Sequence, residues 1–223
     1  MHHAPHGIYG RFGEKLNWHK GIPQGPIIQD FYETDLRRGF LRGYTLEAFS
    51  NLPITLASDF NHNLWGNDLV ELMDSFDHLA GMWVCGEDLP NPDNRVELHP
   101  TRNDELGVPI PLVTYSYGAN EKKLMAHAVK KAEEILLAGG ADKTWVSPPG
   151  GSAHLMGTCR MGGDPKTSVV NSFGRSHDVK NLFITDGSVF VTSAAVNPTL
   201  TIQALATRTA GYIAVNRKNL FKR

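Results

Sequence analysis

The stretch that most constrains the fold begins at Asn197, in NPTLTIQALATRTAGYIAVN. Asparagine favours the N-cap position, and Pro198 suits the first helical position, where its missing N–H is no loss and its fixed φ already fits. A helix is therefore predicted to start abruptly at Pro198. Its apolar residues Ile202, Leu205, Ala206, Ala210 and Ile213 recur at three- and four-residue steps, so one stripe can pack on a sheet while the N-terminal end faces a neighbour. That end carries partial positive charge and unpaired N–H donors, a setting that stabilises an electron-rich ligand.

Two segments precede this helix. NLFITDGSVF, residues 181–190, reads as a short buried strand over Leu182, Phe183 and Ile184 that ends in Asp186-Gly187. Ligands of open α/β sheets bind beyond the carboxyl ends of strands, which places Asp186 beside a ligand. GSAHLMGTCRMGG, residues 151–163, holds His154 among glycines and small residues that allow close backbone approach. A histidine with an ordinary pKa near 6.5 is the acid/base group of that segment.

His154-Leu-Met-Gly-Thr-Cys159-Arg-Met-Gly162, then Asp186-Gly187-Ser188, then Asn197-Pro198-Thr199 resemble, in order and spacing, the C-terminal region of the glucose-methanol-choline (GMC) family of flavin-dependent oxidoreductases. The wording of the first block and the asparagine at 197 are most similar to bacterial sugar and gluconate-type dehydrogenases. NRVELHPTRNDELGVPIP and the helix after it, within residues 94–140, resemble the family's substrate-domain segment. The resemblance implies FAD as cofactor and an alcohol or sugar as substrate, oxidised at a CH–OH group. It implies a catalytic pair of His154, as general base, and Asn197, bonding the same substrate oxygen, with the hydride passing to flavin N5. Asp186 and Gly187 would meet the ribityl-pyrophosphate region, and Asn197, Pro198 and Thr199 the flavin's pyrimidine edge. The electron acceptor stays open among quinone, cytochrome and oxygen.

The family opens with a strand, a G-x-G-x-x-G turn and a helix that hold the FAD pyrophosphate. Gly7-Ile-Tyr-Gly10-Arg-Phe-Gly13 has the wrong spacing and no strand ahead of it. The dinucleotide-binding half is thus expected from another stretch of polypeptide, in cis or in trans. The alternative is a catalytically inactive fragment or subunit that needs another polypeptide to hold FAD.

For the rest, strand signals in series over 39–49, 82–85, 95–98 and 109–117, with helices over 67–80 and 121–138 (the latter capped by Asn120), lack βαβ alternation. They argue for an antiparallel sheet with helices on one face, an α+β substrate domain attached to the C-terminal part of an α/β FAD-binding fold. The expected domains are a flexible segment over 1–20, the substrate-binding domain over 21–146, and the catalytic part over 147–223. A net charge of −1 gives no footprint for nucleic acid or an anionic membrane surface. No apolar run reaches the length of a membrane span. Two cysteines, Cys85 and Cys159, make no disulfide framework and read as reduced thiols. His2, His3 and His6 lack partners at ligand spacing, so no metal site is expected and they read as part of the flexible terminus. The chain as given favours the cytoplasm, with the periplasm open for a full-length protein.

Overall fold

The computed structural model describes residues 1–3, 5–60, 63–151 and 153–220. Among these described residues seven strands and four α-helices follow in chain order: β1 (Gly7–Arg11), β2 (Gln24–Ile28), β3 (Tyr44–Phe49), α1 (Pro53–Asp59), α2 (Gly66–Asp74), β4 (Leu79–Gly86), β5 (Arg95–Asn103), β6 (Pro109–Thr114), α3 (Ala119–Ala138), β7 (Lys143–Val146) and α4 (Thr199–Leu220). The chain divides into two compact units.

The sheet unit comprises His3–Glu87 and Ala119–Ser152. Its five strands run antiparallel in the order β2-β3-β4-β1-β7. On one face Ile8, Tyr44, Leu46 and Val84 meet the buried stripe of α3, Leu124, Ala128, Ala132 and Leu136. That stripe follows the three- and four-residue spacing on which the helix was expected, and Gly139 and Gly140 end it. On the other face Tyr9 and Trp145 pack with Leu56, Phe60 and Leu72, so the short helices α1 and α2 cover part of that side.

The segment read as a flexible terminus is the site of the clearest correction. Gly7–Arg11 forms β1, paired on both sides, with Ile8 and Tyr9 fully buried. Its glycines serve packing: a Cβ at Gly10 would lie 3.1 Å from the Cβ atoms of Leu136 and Ala141, so α3 can approach only a residue without a side chain. The nearby histidines are placed rather than loose. His3 is buried with its Nδ1 3.0 Å from the Cys85 sulfur, and His6 donates from Nδ1 to the Ser147 carbonyl at 2.8 Å.

The helix predicted over 67–80 stops at Asp74, because the Ser75 hydroxyl donates back to the Glu71 carbonyl and Leu79 onward pairs as β4. Asn120 sits inside α3 instead of capping it, and its side-chain oxygen accepts the Leu41 amide.

The second unit comprises Met1–His2, Asp88–Gly118 and Ala153–Arg223. Residues 88–118, expected with the sheet, thus cluster with the C-terminal segment. They form the β5–β6 hairpin. The Tyr115 hydroxyl and the His2 amide both donate to Asp88 Oδ2, and the Asp88 amide donates to the Ser193 hydroxyl. The strand predicted over 182–184 is reduced to a single bridge, Arg175 with Phe183, and Leu182 is exposed. The physical reason is a turn at 179–182, closed by the Leu182 amide on the Val179 carbonyl. α4 docks through Thr209, whose hydroxyl donates to the Phe173 carbonyl, and through Tyr212, stacked on Phe173 at 4.1 Å.

The sheet unit depends on the α3 contact. Leu124→Ala should lower unfolding free energy by about 2–5 kcal/mol, the range for a leucine truncated at a fully packed site. Denaturant titration checks this, and a loss below about 1 kcal/mol would show that α3 is not part of the core.

Candidate functional site

The second unit brings the three sequence blocks together at Gly187. A Cβ built there would lie 2.9 Å from the Leu155 carbonyl oxygen, 3.4 Å from Ile202 Cδ1 and 3.8 Å from Met156 Cγ. Leu155 follows His154, and Ile202 lies in the first turn of α4. The segment after the histidine, the turn after Asp186 and the helix after Asn197 therefore meet on one residue that can carry no side chain without displacing a backbone carbonyl.

Hydrogen bonds extend this contact. The amides of Gly157, Cys159 and Met161 donate to the carbonyls of Gly187, Ser188 and Val189, at 3.2, 2.8 and 2.9 Å. Alternate residues of one segment so hold consecutive residues of the other. Gly157, at φ +88°, adopts a conformation that side-chain-bearing residues rarely take. The Asp186 carboxylate accepts the Ser188 amide at 2.8 Å and fixes the turn, leaving the aspartate side chain at the surface.

His154 is half-buried, and loss of water lowers its pKa from the ordinary 6.5. The ring is therefore neutral at neutral pH. Asn197 is exposed, Pro198 buried and Thr199 exposed. The helix begins one residue later than expected: its first internal bond runs from the Ile202 amide to the Pro198 carbonyl at 3.0 Å. Pro198 thus takes the cap position that the sequence suggested for Asn197, whose carboxamide stands just ahead of the helix. The amides of Thr199, Leu200 and Thr201 precede that bond and point out of the helix end. The structure accordingly gathers the expected residues into one unit, with a sheltered imidazole, an open carboxamide and an open helix N-terminus. Cys159 contributes backbone bonds to this arrangement, and the Arg160 guanidinium is engaged with the Thr167 carbonyl at 2.7 Å.

A second polar region lies on the sheet unit. Tyr9 and Asn51 both donate to Oδ2 of Asp59, and His6, Trp83 and Ser147 lie along the same cavity as Asp59. Sequence reasoning missed these residues, because their proximity depends on ladder register and on a chain end read as flexible.

Among known proteins, a family model described as GMC oxidoreductase matches residues 90–206, more than half of the chain. A 2-methyl-1,2-propanediol dehydrogenase of Mycolicibacterium austroafricanum is 35% identical over 210 residues, covering 90% of this chain and 38% of that enzyme. The fructose dehydrogenase large subunit of Gluconobacter japonicus is 37% identical over 139 residues, 61% of this chain and 25% of that subunit. The chain thus spans well under half the length of these relatives. The structure resembles pyridoxine 4-oxidase from Mesorbium loti with a TM-score of 0.62 at 14% identity, over 96% of this chain and 44% of that one, a likeness of fold. No helix among the described residues is long and apolar enough to cross a membrane. With the blocks at His154, Asp186 and Asn197 all inside or beside the matched region, the chain belongs to the GMC oxidoreductase family, of which it forms a C-terminal part.

Proposed function

We propose that this chain supplies the proton-handling part of an FAD-dependent oxidoreductase that oxidises the CH–OH group of an alcohol or sugar. The observation that carries the reading is the convergence on Gly187 of the segments bearing His154, Asp186 and Asn197. Unrelated loops have no reason to exclude a side chain at that meeting point.

The residues present suit FAD. The open N-terminus of α4 offers unpaired amides and partial positive charge to an electron-rich ring edge, with Asn197 and Thr199 exposed beside it. The surface carboxylate of Asp186 and the side-chain-free Gly187 suit close contact with the ribityl-pyrophosphate region. The sequence contains no G-x-G-x-x-G turn, so we assign the main phosphate-holding contacts to polypeptide outside these 223 residues. When bound, FAD supplies the hydride acceptor that no side chain can provide.

The chain's own residues handle the substrate hydroxyl. His154 takes the hydroxyl proton on an imidazole nitrogen, and its lowered pKa keeps that nitrogen unprotonated at neutral pH. Asn197 donates from its carboxamide to the same oxygen and so orients the carbinol C–H. A second reading, a non-catalytic subunit, draws on the small share of its relatives' length that the chain covers. It predicts a complex that never reduces flavin.

In the intact protein loaded with FAD, His154→Ala should slow substrate-driven flavin reduction by about 10² or more, as measured by stopped-flow absorbance. An unchanged rate removes the base role. A histidine with a depressed pKa is a competent base above that pKa and loses this form as pH falls. The rate should therefore hold across neutral pH and decline only below the ordinary value of 6.5, whereas a midpoint above it contradicts the assignment. Gly187→Ala must displace the Leu155 carbonyl and should cost about 1–3 kcal/mol of stability. It should also slow flavin reduction, and a variant with wild-type melting and rate would deny Gly187 its place.

A further inference from the structure

Besides the meeting point at Gly187, a second path of bonds within the same compact unit runs between the segments that carry His154 and Asn197. Two residues after His154, Met156 is buried and exchanges backbone bonds with Met1. The Met1 nitrogen donates to the Met156 carbonyl at 3.0 Å, and the Met156 amide donates to the Met1 carbonyl at 2.9 Å. The Met1 side chain lies over Gly157, where a Cβ would come 2.6 Å from Met1 Cε. His2 continues the path. Its amide donates to Asp88 Oδ2 at 2.9 Å, and its ring packs against Tyr115 and Tyr117 with centres 4.2 and 5.3 Å apart.

Asp88 joins this path to the other segment. The Tyr115 hydroxyl donates to the same Oδ2 at 2.9 Å, so one carboxyl oxygen gathers two donors from different parts of the chain. The Asp88 backbone holds Ser193: its amide donates to the Ser193 hydroxyl and its carbonyl accepts from that hydroxyl, both at 2.9 Å. Ser193 and Ala195 are buried, whereas Asn197 is exposed and Pro198 after it is buried again. The Asn197 carboxamide is therefore presented between two anchored points, Ser193 on one side and the start of α4 on the other. Asp88 itself is 2% exposed. A plain loop contact does not need a buried carboxyl group, whose desolvation costs free energy, but an oxygen shared by two donors fixes both of them at one point.

We infer that Asp88 is a positioning residue for the oxidation: through Met1 and His2 it fixes the segment of His154, through Ser193 it fixes that of Asn197, and so it sets the imidazole and the carboxamide for one substrate oxygen. The inference rests on the reading that these two groups act together on a CH–OH group. The Gly187 contact sets how closely the segments approach, and the Asp88 path sets how they lie along one another. Small errors in that setting are costly, since a misplacement of about 1 Å at a reacting group lowers a rate by up to about 10².

Stopped-flow flavin reduction in the intact, FAD-loaded protein tests this, with flavin absorbance confirming equal loading of the variants. Asp88→Ala should slow reduction by about 10- to 100-fold. Asp88→Asn, whose amide oxygen still accepts both donors, should return the rate to within about threefold of wild type. The deciding measurement is Asp88→Ala made in a His154→Ala background, where no imidazole is left to place: the added slowing should shrink to about threefold or less. A purely structural Asp88 would lower the melting temperature in both backgrounds and leave the two rate effects multiplicative. Should Asp88→Ala fail to fold, as judged by circular dichroism, Ser193→Ala in the same two backgrounds decides the question. A wild-type rate in the folded variants, or effects that multiply, would overturn the assignment. Failure of the two readings is told apart by the single variants. An unchanged rate in His154→Ala removes the base and the positioning role with it, whereas a slow His154→Ala beside a wild-type Asp88→Ala rate removes only the positioning role.

Discussion

The close approach of the Leu155 carbonyl to Gly187 is the contact on which the candidate site depends. Few residues of the segment from 153 to 198 lie in regular strands or helices, so neither a long ladder nor a helix stripe can fix the position of His154. Its geometry comes instead from backbone bonds between 157–161 and 187–189 and from a glycine that lets two segments and the first turn of α4 touch. Each such bond contributes about 0.5–1.5 kcal/mol in net terms. The alternative, a set of buried amides and carbonyls without partners, would cost more for each group, and that asymmetry holds the loops in place.

The sheet unit solves a different problem by ordinary means. Alternation sends Ile8, Leu46 and Val84 to α3, and sends Tyr9 and Trp145 to the side covered by α1 and α2. Because α1 and α2 are short, they leave part of that side uncovered, and there Gly7, Trp83 and Ser147 border a cavity. Tyr9 links the two parts of this face, as its ring packs in the core while its hydroxyl orients Asp59. Burial and the neighbouring carboxylate push the Tyr9 pKa up, so the hydroxyl stays a donor. Core packing and the orientation of Asp59 are thus carried by one side chain.

The sequence made α3 legible because Leu124, Ala128, Ala132 and Leu136 share a stripe and Gly139-Gly140 follows. The antiparallel sheet and the family blocks were equally open to reading, whereas strands 95–98 and 109–117, expected in that sheet, pair only with each other. β1 was not, since Gly7 and Gly10 look like flexibility when considered locally. The purpose of Gly10 depends on Leu136 and Ala141, more than a hundred residues away, and that of Gly7 on the ring of Tyr9 folded against it. The predicted strand at 182–184 failed for the opposite reason: an apolar triplet suggests a strand, but a tight turn at 179–182 takes the backbone bonds that a ladder would need. For Asn197, the cap preference was sound chemistry applied one residue early, because Pro198 can supply the first helical carbonyl as well as begin a turn. The cavity residues had no local signature at all, as His6, Asp59, Trp83 and Ser147 come from four separate segments.

The central claim is that His154 and Asn197, held by segments that meet at Gly187, act on one substrate oxygen. A double-mutant cycle on the rate of flavin reduction in the intact protein tests this directly, using wild type, His154→Ala, Asn197→Ala and the double variant. Groups that share one oxygen are strongly non-additive, so the double variant should be little slower than His154→Ala alone. A double variant slowed by the full product of the two single effects would show that the imidazole and the carboxamide act independently, and would contradict the account.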